Sequence, residues 1–318
     1  MKKLLRSSNT ALLAVTVAIL LVFYAFNPNF LSLENIRNIM NSMSFVGVLT
    51  VGMTMLLICG EVDLSSGAIA CFGGVVAALL INSGVPWVIG LILTILFGAI
   101  CGLISALMIN RLGFMNFIAT LGLMSVFQGA VALITQNKNI QIPVPDFWVI
   151  GSTTLFGLIP LPFVIMILLM VLYGLILSST NFGRSIYMCG GNRYAARLCG
   201  INPKRVSSIL YINNGALCAL AGAILAARMH TASPVAGNNG ALDAITAAVL
   251  GGVSFLGGTG GMVGCFIGIF LLNAFDAGLT AIGFPSYWQL VARGCLLVLA
   301  LCLDFVSSQA RRRALEQA

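Results

Sequence analysis

Residues 51–70 read VGMTMLLICGEVDLSSGAIA, and this stretch places two carboxylates, Glu61 and Asp63, between strongly apolar runs. The chain has only eight acidic residues among its 318. Three interpretations of the pair are open: a proton relay, a catalytic pair, or a signal that ends one helix and begins the next. The choice depends on what the flanking sequence builds.

The composition is typical of a membrane protein with many spans. Hydrophobic residues make up 59% of the chain and charged residues 8%, and the mean hydropathy is +1.06, outside the range of water-soluble domains. Crossing the hydrocarbon core takes about 20 apolar residues, so the chain has material for about eight to ten helices. The sequence therefore predicts an all-α polytopic protein, with one transmembrane domain over residues 1–318 and membrane lipid around it.

Apolar runs bounded by charged residues, proline or Asn/Gly clusters predict about ten spans. They cover residues 11–27, 38–59, 65–82, 86–109, 114–135, 159–179, 207–228, 241–256, 262–282 and 286–306. The first span is expected to be retained, since no small-residue cleavage site follows it. Residues 38–135 and 207–306 each hold four spans and begin on opposite sides of the membrane, which indicates an inverted repeat.

The basic residues orient these spans. Twelve of the sixteen fall on the side that holds both termini, and the positive-inside rule makes that side cytoplasmic; they are Lys2, Lys3, Arg6, Arg111, Arg184, Arg193, Arg197, Lys204, Arg205, Arg311, Arg312 and Arg313. The net charge of +8 thus reflects topology. A nucleic-acid partner is not expected, because the charges are split among short loops.

Two loops are long enough to hold structure. Residues 136–157 fall outside and are expected to form an ordered cap that could dock a partner. Residues 180–206 fall inside and predict a short amphipathic helix, with Asn192 as its N-cap and Gly200 as its C-cap.

Motifs for covalent chemistry are not found in the sequence. There is one histidine, His230, and no GxSxG, HExxH or GxxxxGK[ST] motif, so neither hydrolysis nor nucleotide binding is expected of this chain. The nine cysteines form no CxxC pair and predict no metal site. The chain is expected not to be an enzyme and to hold no cofactor of its own.

Polar residues inside the spans are the candidates for a translocation path. Asp276 and Arg293 lie at a similar depth in adjacent spans, so we expect them either to pair or to contact a polar substrate. The candidate set is Asn41, Ser44, Thr120, Gln128, Asn213, Asn214, Asp276, Gln289 and Arg293. Its uncharged members suit a neutral polyhydroxy solute. If Asp276 or Asp63 were instead a proton site, the chain would be a proton-coupled secondary carrier for a small polar solute.

Five stretches together resemble the permease subunits of bacterial ABC importers for simple sugars, the ribose, arabinose, xylose, galactose and autoinducer-2 group. They are VGMTMLLICGEVDLSSGAIA, INRLGFMNFIATLGLM, TNFGRSIYMCGGNRYAARLCGIN, LDAITAAVLGGVSFLGGTGGMVG and YWQLVARGCLLVLALCLD. They occur in family order over most of the chain. The sequence departs from the family pattern at two positions. Ser66 stands where the family commonly has valine, and Asp276 lies in a segment that is rich in asparagine in the family.

The resemblance implies a permease that moves a pentose, hexose or related small polyol into the cytoplasm by ATP-driven alternating access. It implies a bundle similar to that of the vitamin B12 importer class, in the bacterial inner membrane. A second permease subunit, identical or different, completes the dimer. A sugar-binding protein docks outside, and a separate ATPase that holds ATP and Mg docks inside.

The resemblance also implies that residues 190–202 form the coupling helix that docks in a cleft of the ATPase. The arginines are expected to pair with acidic rims, while Tyr194, Ala195, Ala196 and Leu198 fill the cleft. The ATPase-coupling set is Arg184, Asn192, Arg193, Ala195, Ala196, Arg197, Gly200 and Asn202. Bulky residues at Ala196 and Gly200 are expected to uncouple ATP hydrolysis from uptake.

The predicted topology places the opening pair of acids near the cytoplasmic surface, where a charge is tolerated. We therefore interpret Gly60, Asp63, Ser65 and Gly67 as a helix break, in which Asp63 or Ser65 caps the next helix and the glycines permit the reversal. Asp63 is expected to matter more than Glu61.

Overall fold

The computed structural model describes the backbone of residues 2–316 and the side chains of residues 12–302, 304 and 305. The helices are α1 (Lys2–Phe26), α2 (Leu33–Ile58), α3 (Ser66–Asn82), α4 (Trp87–Asn110), α5 (Asn116–Thr135), α6 (Pro145–Ser152), α7 (Leu161–Ser179), α8 (Asn181–Gly191), α9 (Arg193–Leu198), α10 (Pro203–Met229), α11 (Gly240–Leu250), α12 (Met262–Ala281) and α13 (Ser286–Glu316). The two-residue strands are β1 (Ile140–Gln141), β2 (Thr154–Leu155), β3 (Ile159–Pro160) and β4 (Thr231–Ala232), and a 3₁₀ turn covers Pro28–Leu31.

Each of the ten predicted spans contains a helix, which confirms an all-α polytopic architecture. Six helices, namely α2, α4, α5, α7, α10 and α12, are long and apolar enough to cross a membrane. The apolar parts of the other four are shorter, at Leu12–Phe26, Ser66–Asn82, Gly240–Leu250 and Ser286–Cys302. Ten crossings therefore stay a prediction.

The eighth predicted span, 241–256, is wrong in length. Helix α11 has 11 residues, which at 1.5 Å per residue is roughly 17 Å, about half the hydrocarbon core. It ends at Leu250, with Gly251 as its C-cap, because Gly252 takes a left-handed φ of +81° that the helix cannot continue through.

The core lies around α2, α3 and α10. Helix α10 packs along α2, α3 and α4, and α2 packs against α7, α11 and α12. The approach of α4 to α10 depends on Gly98 and Gly102, where an added Cβ would lie 2.3 Å from the Gly215 carbonyl oxygen and 2.1 Å from the Tyr211 carbonyl oxygen. Backbones this close need small residues at the contact.

The two sets of four helices, α2–α5 and α10–α13, have the same pattern of neighbours. Helix α3 contacts α4 and α5, as α11 contacts α12 and α13. Helix α10 contacts α3 and α4, as α2 contacts α12 and α11. Each long helix, α2 or α10, therefore packs on the short helix and the following helix of the other set.

The bundle has two ends, which we call the loop end and the strand end. The loop end holds α8, α9 and the start of α10. The strand end holds β1 paired with β4, the β2–β3 hairpin and α6. At the strand end Trp148 of α6 stacks on His230, with ring centroids 4.0 Å apart, so the predicted ordered cap is present.

Candidate functional site

Helix α9 at the loop end has the predicted N-cap, Asn192, while its C-cap is Cys199 and the predicted Gly200 follows one residue later. The Asn192 side chain accepts hydrogen bonds from the backbone amides of Tyr194 at 2.9 Å and Ala195 at 3.0 Å. Gly200 has a φ of +80° and its amide donates to the Arg197 carbonyl at 3.0 Å. Such polar caps fix a six-residue helix that would be marginal alone.

One face of α9 is unpartnered. Tyr194 is 71% exposed and Leu198, one turn later, is 74% exposed, while Ala195 and Arg197 are also exposed. Ala196 differs from the prediction: it is fully buried against this chain, so it does not belong to a face that fills a partner's cleft. A bulky residue at Ala196 would displace α9 from its own bundle.

Two of the predicted coupling arginines are engaged within the chain. The Arg193 Nη2 atom lies 2.5 Å from Glu61 Oε1, and the Arg184 guanidinium donates to the Asn181 side chain. Burial lowers the pKa of Arg193, but the charge and hydrogen bond of Glu61, together with Cys59 and Tyr211, raise it, and the net pKa lies above its usual value. The expectation that Arg193 pairs with a partner's acids is therefore corrected.

Glu61 is the centre of the loop end. Its side chain is 2% exposed and accepts hydrogen bonds from Asn116 at 2.8 Å, Ser207 at 3.1 Å and Tyr211 at 3.3 Å, besides the Arg193 contact. Asn116 opens α5 and the other two lie on α10. One carboxylate thus joins the break after α2 to α5, α9 and α10.

Asp63 holds the break itself. Its Oδ1 atom accepts from the Ser65 amide at 2.9 Å and the Ser65 hydroxyl at 2.5 Å, and its Oδ2 atom accepts from the Asn214 side chain at 2.9 Å. Asp63 therefore closes the turn before α3, but neither Asp63 nor the N-cap residue Ser65 accepts a side-chain hydrogen bond from an amide of α3, so the predicted cap is not seen. Gly60 takes the expected left-handed turn, with a φ of +75°.

Gly67 has another role than the predicted reversal. It lies inside α3, and an added Cβ would be 2.7 Å from the carbonyl oxygens of Gly237 and Asn238. The residue is small because a loop from the strand end packs onto α3. That Asp63 matters more than Glu61 stays a prediction, since both carboxylates are buried and both bond α10, Asp63 through Asn214 and Glu61 through Ser207 and Tyr211.

Backbones from three segments meet beside Glu61, at a cluster we call the glycine junction: Gly60, Gly190, Gly257 and Gly258. A Cβ on Gly190 would lie 1.8 Å from the Ile58 carbonyl oxygen and 2.6 Å from the Gly258 nitrogen. The Gly258 amide donates to that same Ile58 carbonyl at 2.8 Å. The end of α8 therefore packs between the break after α2 and the segment after α11.

The candidate path residues do not form one continuous line. Asn214 and Thr120 lie at the break, where Thr120 accepts from the Leu64 amide at 3.2 Å. Three other path residues each bond a different neighbour: Asn213 accepts from Tyr173, Gln289 donates to Thr280, and Ser44 donates to the Met40 carbonyl. Asn41 and Gln128 are half-buried.

The other two path residues meet at the strand end. Arg293 Nε lies 2.8 Å from Asp276 Oδ2, the predicted pair, and Arg293 Nη1 lies 3.3 Å from Asp243 Oδ2. Asp243, which the sequence assigned to a span end, is the unexpected third member. All three side chains line a cavity of about 330 Å³, which we call the strand-end cavity.

Comparison with known proteins covers nearly the whole chain. A family model described as branched-chain amino acid transport system / permease component matches residues 35–301. The ribose import permease protein RbsC of Bacillus subtilis (strain 168) is 39% identical over 288 residues, 90% of this chain and 89% of that protein.

Two further relatives come from Escherichia coli (strain K12). The ribose import permease protein RbsC is 33% identical over 302 residues, 92% of each chain. The xylose transport system permease protein XylH is 29% identical over 366 aligned positions, 95% of this chain and 92% of that protein. No solved structure matches the chain.

Proposed function

Because the chain belongs to the branched-chain amino acid transport system / permease component family, and within it to the sugar ABC importer permeases, we propose that it carries a ribose-like pentose, a hexose or a related small polyol into the cytoplasm by ATP-driven alternating access. It is an integral membrane transport component and not an enzyme. The observation that carries the mechanism is the contact of α9 with the helix break through Arg193 and Glu61.

The loop end suits docking of the ATPase. Tyr194 and Leu198 offer an exposed apolar pair, and Arg197, Lys204 and Arg205 are exposed around it. Apolar anchors with a basic rim fit an apolar cleft with acidic edges. In this proposal the loop end and both termini are cytoplasmic, and the ATPase holds ATP and Mg. The terminal residues Lys2, Lys3, Arg6, Arg311, Arg312 and Arg313 lie outside the described side chains.

The bundle offers a route for the movement. Pulling α9 would act on Glu61 directly and, through Gly190, on the segments that follow α2 and α11. The shared neighbour pattern of α2–α5 and α10–α13 supports our assignment of residues 38–135 and 207–306 as inverted repeats of a bundle like that of the vitamin B12 importer class. A second permease subunit and a sugar-binding protein at the strand end complete the importer in the bacterial inner membrane.

The proton-coupled carrier has less support. Asp276 is paired with Arg293 at 2.8 Å, and Asp63 accepts hydrogen bonds from Ser65 and Asn214. A carboxylate whose charge is matched in this way is a poor proton carrier.

Uptake in reconstituted vesicles tests the function. Proteoliposomes containing the chain and its ATPase should import radiolabelled D-ribose or D-xylose when a loaded binding protein is outside and ATP is inside. Omitting the ATPase should abolish uptake. Uptake driven by a proton gradient without the ATPase would contradict the proposal.

Leu198→Asp is expected to weaken ATPase binding by roughly tenfold or more, since it places a charge in an apolar contact worth about 1.5–3 kcal/mol. Co-purification of the ATPase with tagged permease measures the effect. Leu112→Asp is the matched control: Leu112 is similarly exposed, at 69%, but lies outside α9. Equal ATPase recovery from both variants would show that α9 is not the dock.

A further inference from the structure

We infer that the strand-end cavity is a binding site of the permease itself for the neutral sugar, so that this chain takes part in selecting its substrate. The inference rests on the proposed function. The cavity measures about 330 Å³, at the lower end of the range of about 300–1,000 Å³ found for small-molecule sites. Its size suits a ligand no larger than a simple sugar.

Two buried acceptors in the cavity wall lack partners. The Oδ1 atoms of Asp276 and Asn238 are buried and accept no hydrogen bond from any described residue. A buried acceptor left unpaired destabilises the folded protein. Because Asp276 and Asn238 both line the cavity, hydroxyl groups of a bound ligand would satisfy them.

Donors face the same space. Arg228 lines the cavity and is half-buried, and its guanidinium forms no hydrogen bond or ion pair with the part of the chain whose side chains are described. A sugar hydroxyl both donates and accepts, so one molecule can donate to Asp276 and Asn238 while accepting from Arg228. A purely donating or purely accepting ligand could not satisfy both sets.

The charges of the wall balance. Asp243 and Asp276 contribute two negative charges, and Arg228 and Arg293 contribute two positive charges. A site with no net charge gives no general advantage to an anion, so a neutral sugar fits better than its phosphate. Phe45, also in the wall, supplies an aromatic face on which the C–H side of a sugar ring can pack.

The position of the cavity agrees with this use. It lies between the loop at residues 237–240, the strand-end half of α12 and the start of α13. In the proposed orientation the sugar-binding protein releases its ligand at this end. The cavity would therefore receive the sugar before the bundle changes side.

Asn238→Ala separates binding from a structural role. Removing an unpartnered buried acceptor relieves a cost, so a purely structural Asn238 would leave the protein unchanged or more stable. As a ligand contact it should weaken sugar binding by about tenfold. Asp276→Asn, which keeps the shape of the side chain, should weaken binding by at least as much, because a hydrogen bond to a charged acceptor is stronger.

Equilibrium binding of radiolabelled D-ribose and D-xylose to the purified permease–ATPase complex, without binding protein, measures the effect. We expect saturable binding by the wild type that excess D-ribose 5-phosphate does not displace. Gln141→Ala, which changes an exposed amide at the same end outside the cavity, should bind like the wild type. No binding by the wild type, or unchanged binding by both cavity variants, would overturn the inference.

ATP-driven uptake by the same wild-type preparation distinguishes the two levels of the claim. Uptake of either sugar with no effect of the cavity variants on binding would defeat the inference alone. A preparation that imports neither sugar in an ATP-dependent manner would defeat the proposed function.

Discussion

Gly190→Ala is expected to abolish ATP-dependent sugar uptake, whereas Gly191→Ala leaves uptake near the wild-type rate. A Cβ at Gly190 would meet the Ile58 carbonyl oxygen at 1.8 Å and the Gly258 nitrogen at 2.6 Å, both backbone atoms, while a Cβ at Gly191 meets nothing within 4 Å. The first change must push the end of α8 out of the glycine junction. The change thereby separates α9 from the helix break that contains Glu61.

The two variants are a close match. Both glycines lie at the end of α8, and each change gains the same helix propensity, about 0.8–1.0 kcal/mol in a helix interior. Uptake into proteoliposomes, normalised to the amount of permease, is the measurement. Equal uptake by the two variants would show that the close contact at Gly190 is not needed for transport.

Glu61→Gln is expected to lower uptake by roughly tenfold at a normal level of permease in the membrane. Glutamine keeps the shape of the side chain but replaces charge-assisted hydrogen bonds, including the one to Arg193, by weaker neutral ones. Loss of about 1.4 kcal/mol from such a contact corresponds to tenfold. The effect falls on the link between α9 and the bundle rather than on insertion.

Glu61→Ala should do more. It leaves Asn116 and the buried Ser207 without their carboxylate acceptor, and an unpaired buried donor such as Ser207 costs about 1–3 kcal/mol, so we expect less folded permease as well as slower uptake. Immunoblots of membranes and uptake assays separate the two effects. Wild-type uptake by Glu61→Gln would refute the proposed role of the carboxylate.

Local features of the loop end could be predicted from the sequence. Asn192 and Gly200 bound α9 because caps depend on the residue type and on amides two or three positions away. The bond of Asp63 to the Ser65 amide, two positions away, is local in the same sense. The break was visible because polar and glycine residues interrupt an apolar run.

The partners of Glu61 could not be predicted in this way. Asn116, Arg193, Ser207 and Tyr211 are 55, 132, 146 and 150 positions away along the chain, and only the packing of α5, α9 and α10 brings them together. One signal was present. Ser207, Tyr211 and Asn214 follow at helical spacing, so they share a polar face that had to meet buried polar groups.

Which face of a short helix is buried is equally hard to predict from the sequence. Apolar residues lie on more than one face of residues 193–198, so the sequence does not say which face packs against the chain. Ala196 is the buried one because of where α8 ends. Asp243 joins Arg293 for a similar reason, since it lies in the first turn of the short helix α11, which packs against α12 and α13. Long-range packing sets both features.

In the proposed mechanism the ATPase drives the bundle through the Arg193–Glu61 contact. The most direct measurement is the number of ATP molecules hydrolysed per sugar imported, in the same proteoliposomes, for the wild type, Arg193→Gln and Arg205→Gln. Arg205 is also basic but exposed at the start of α10. We expect the ratio to rise about tenfold in Arg193→Gln, as the ion pair is lost, and to stay unchanged in Arg205→Gln. An unchanged ratio in Arg193→Gln would contradict the claim.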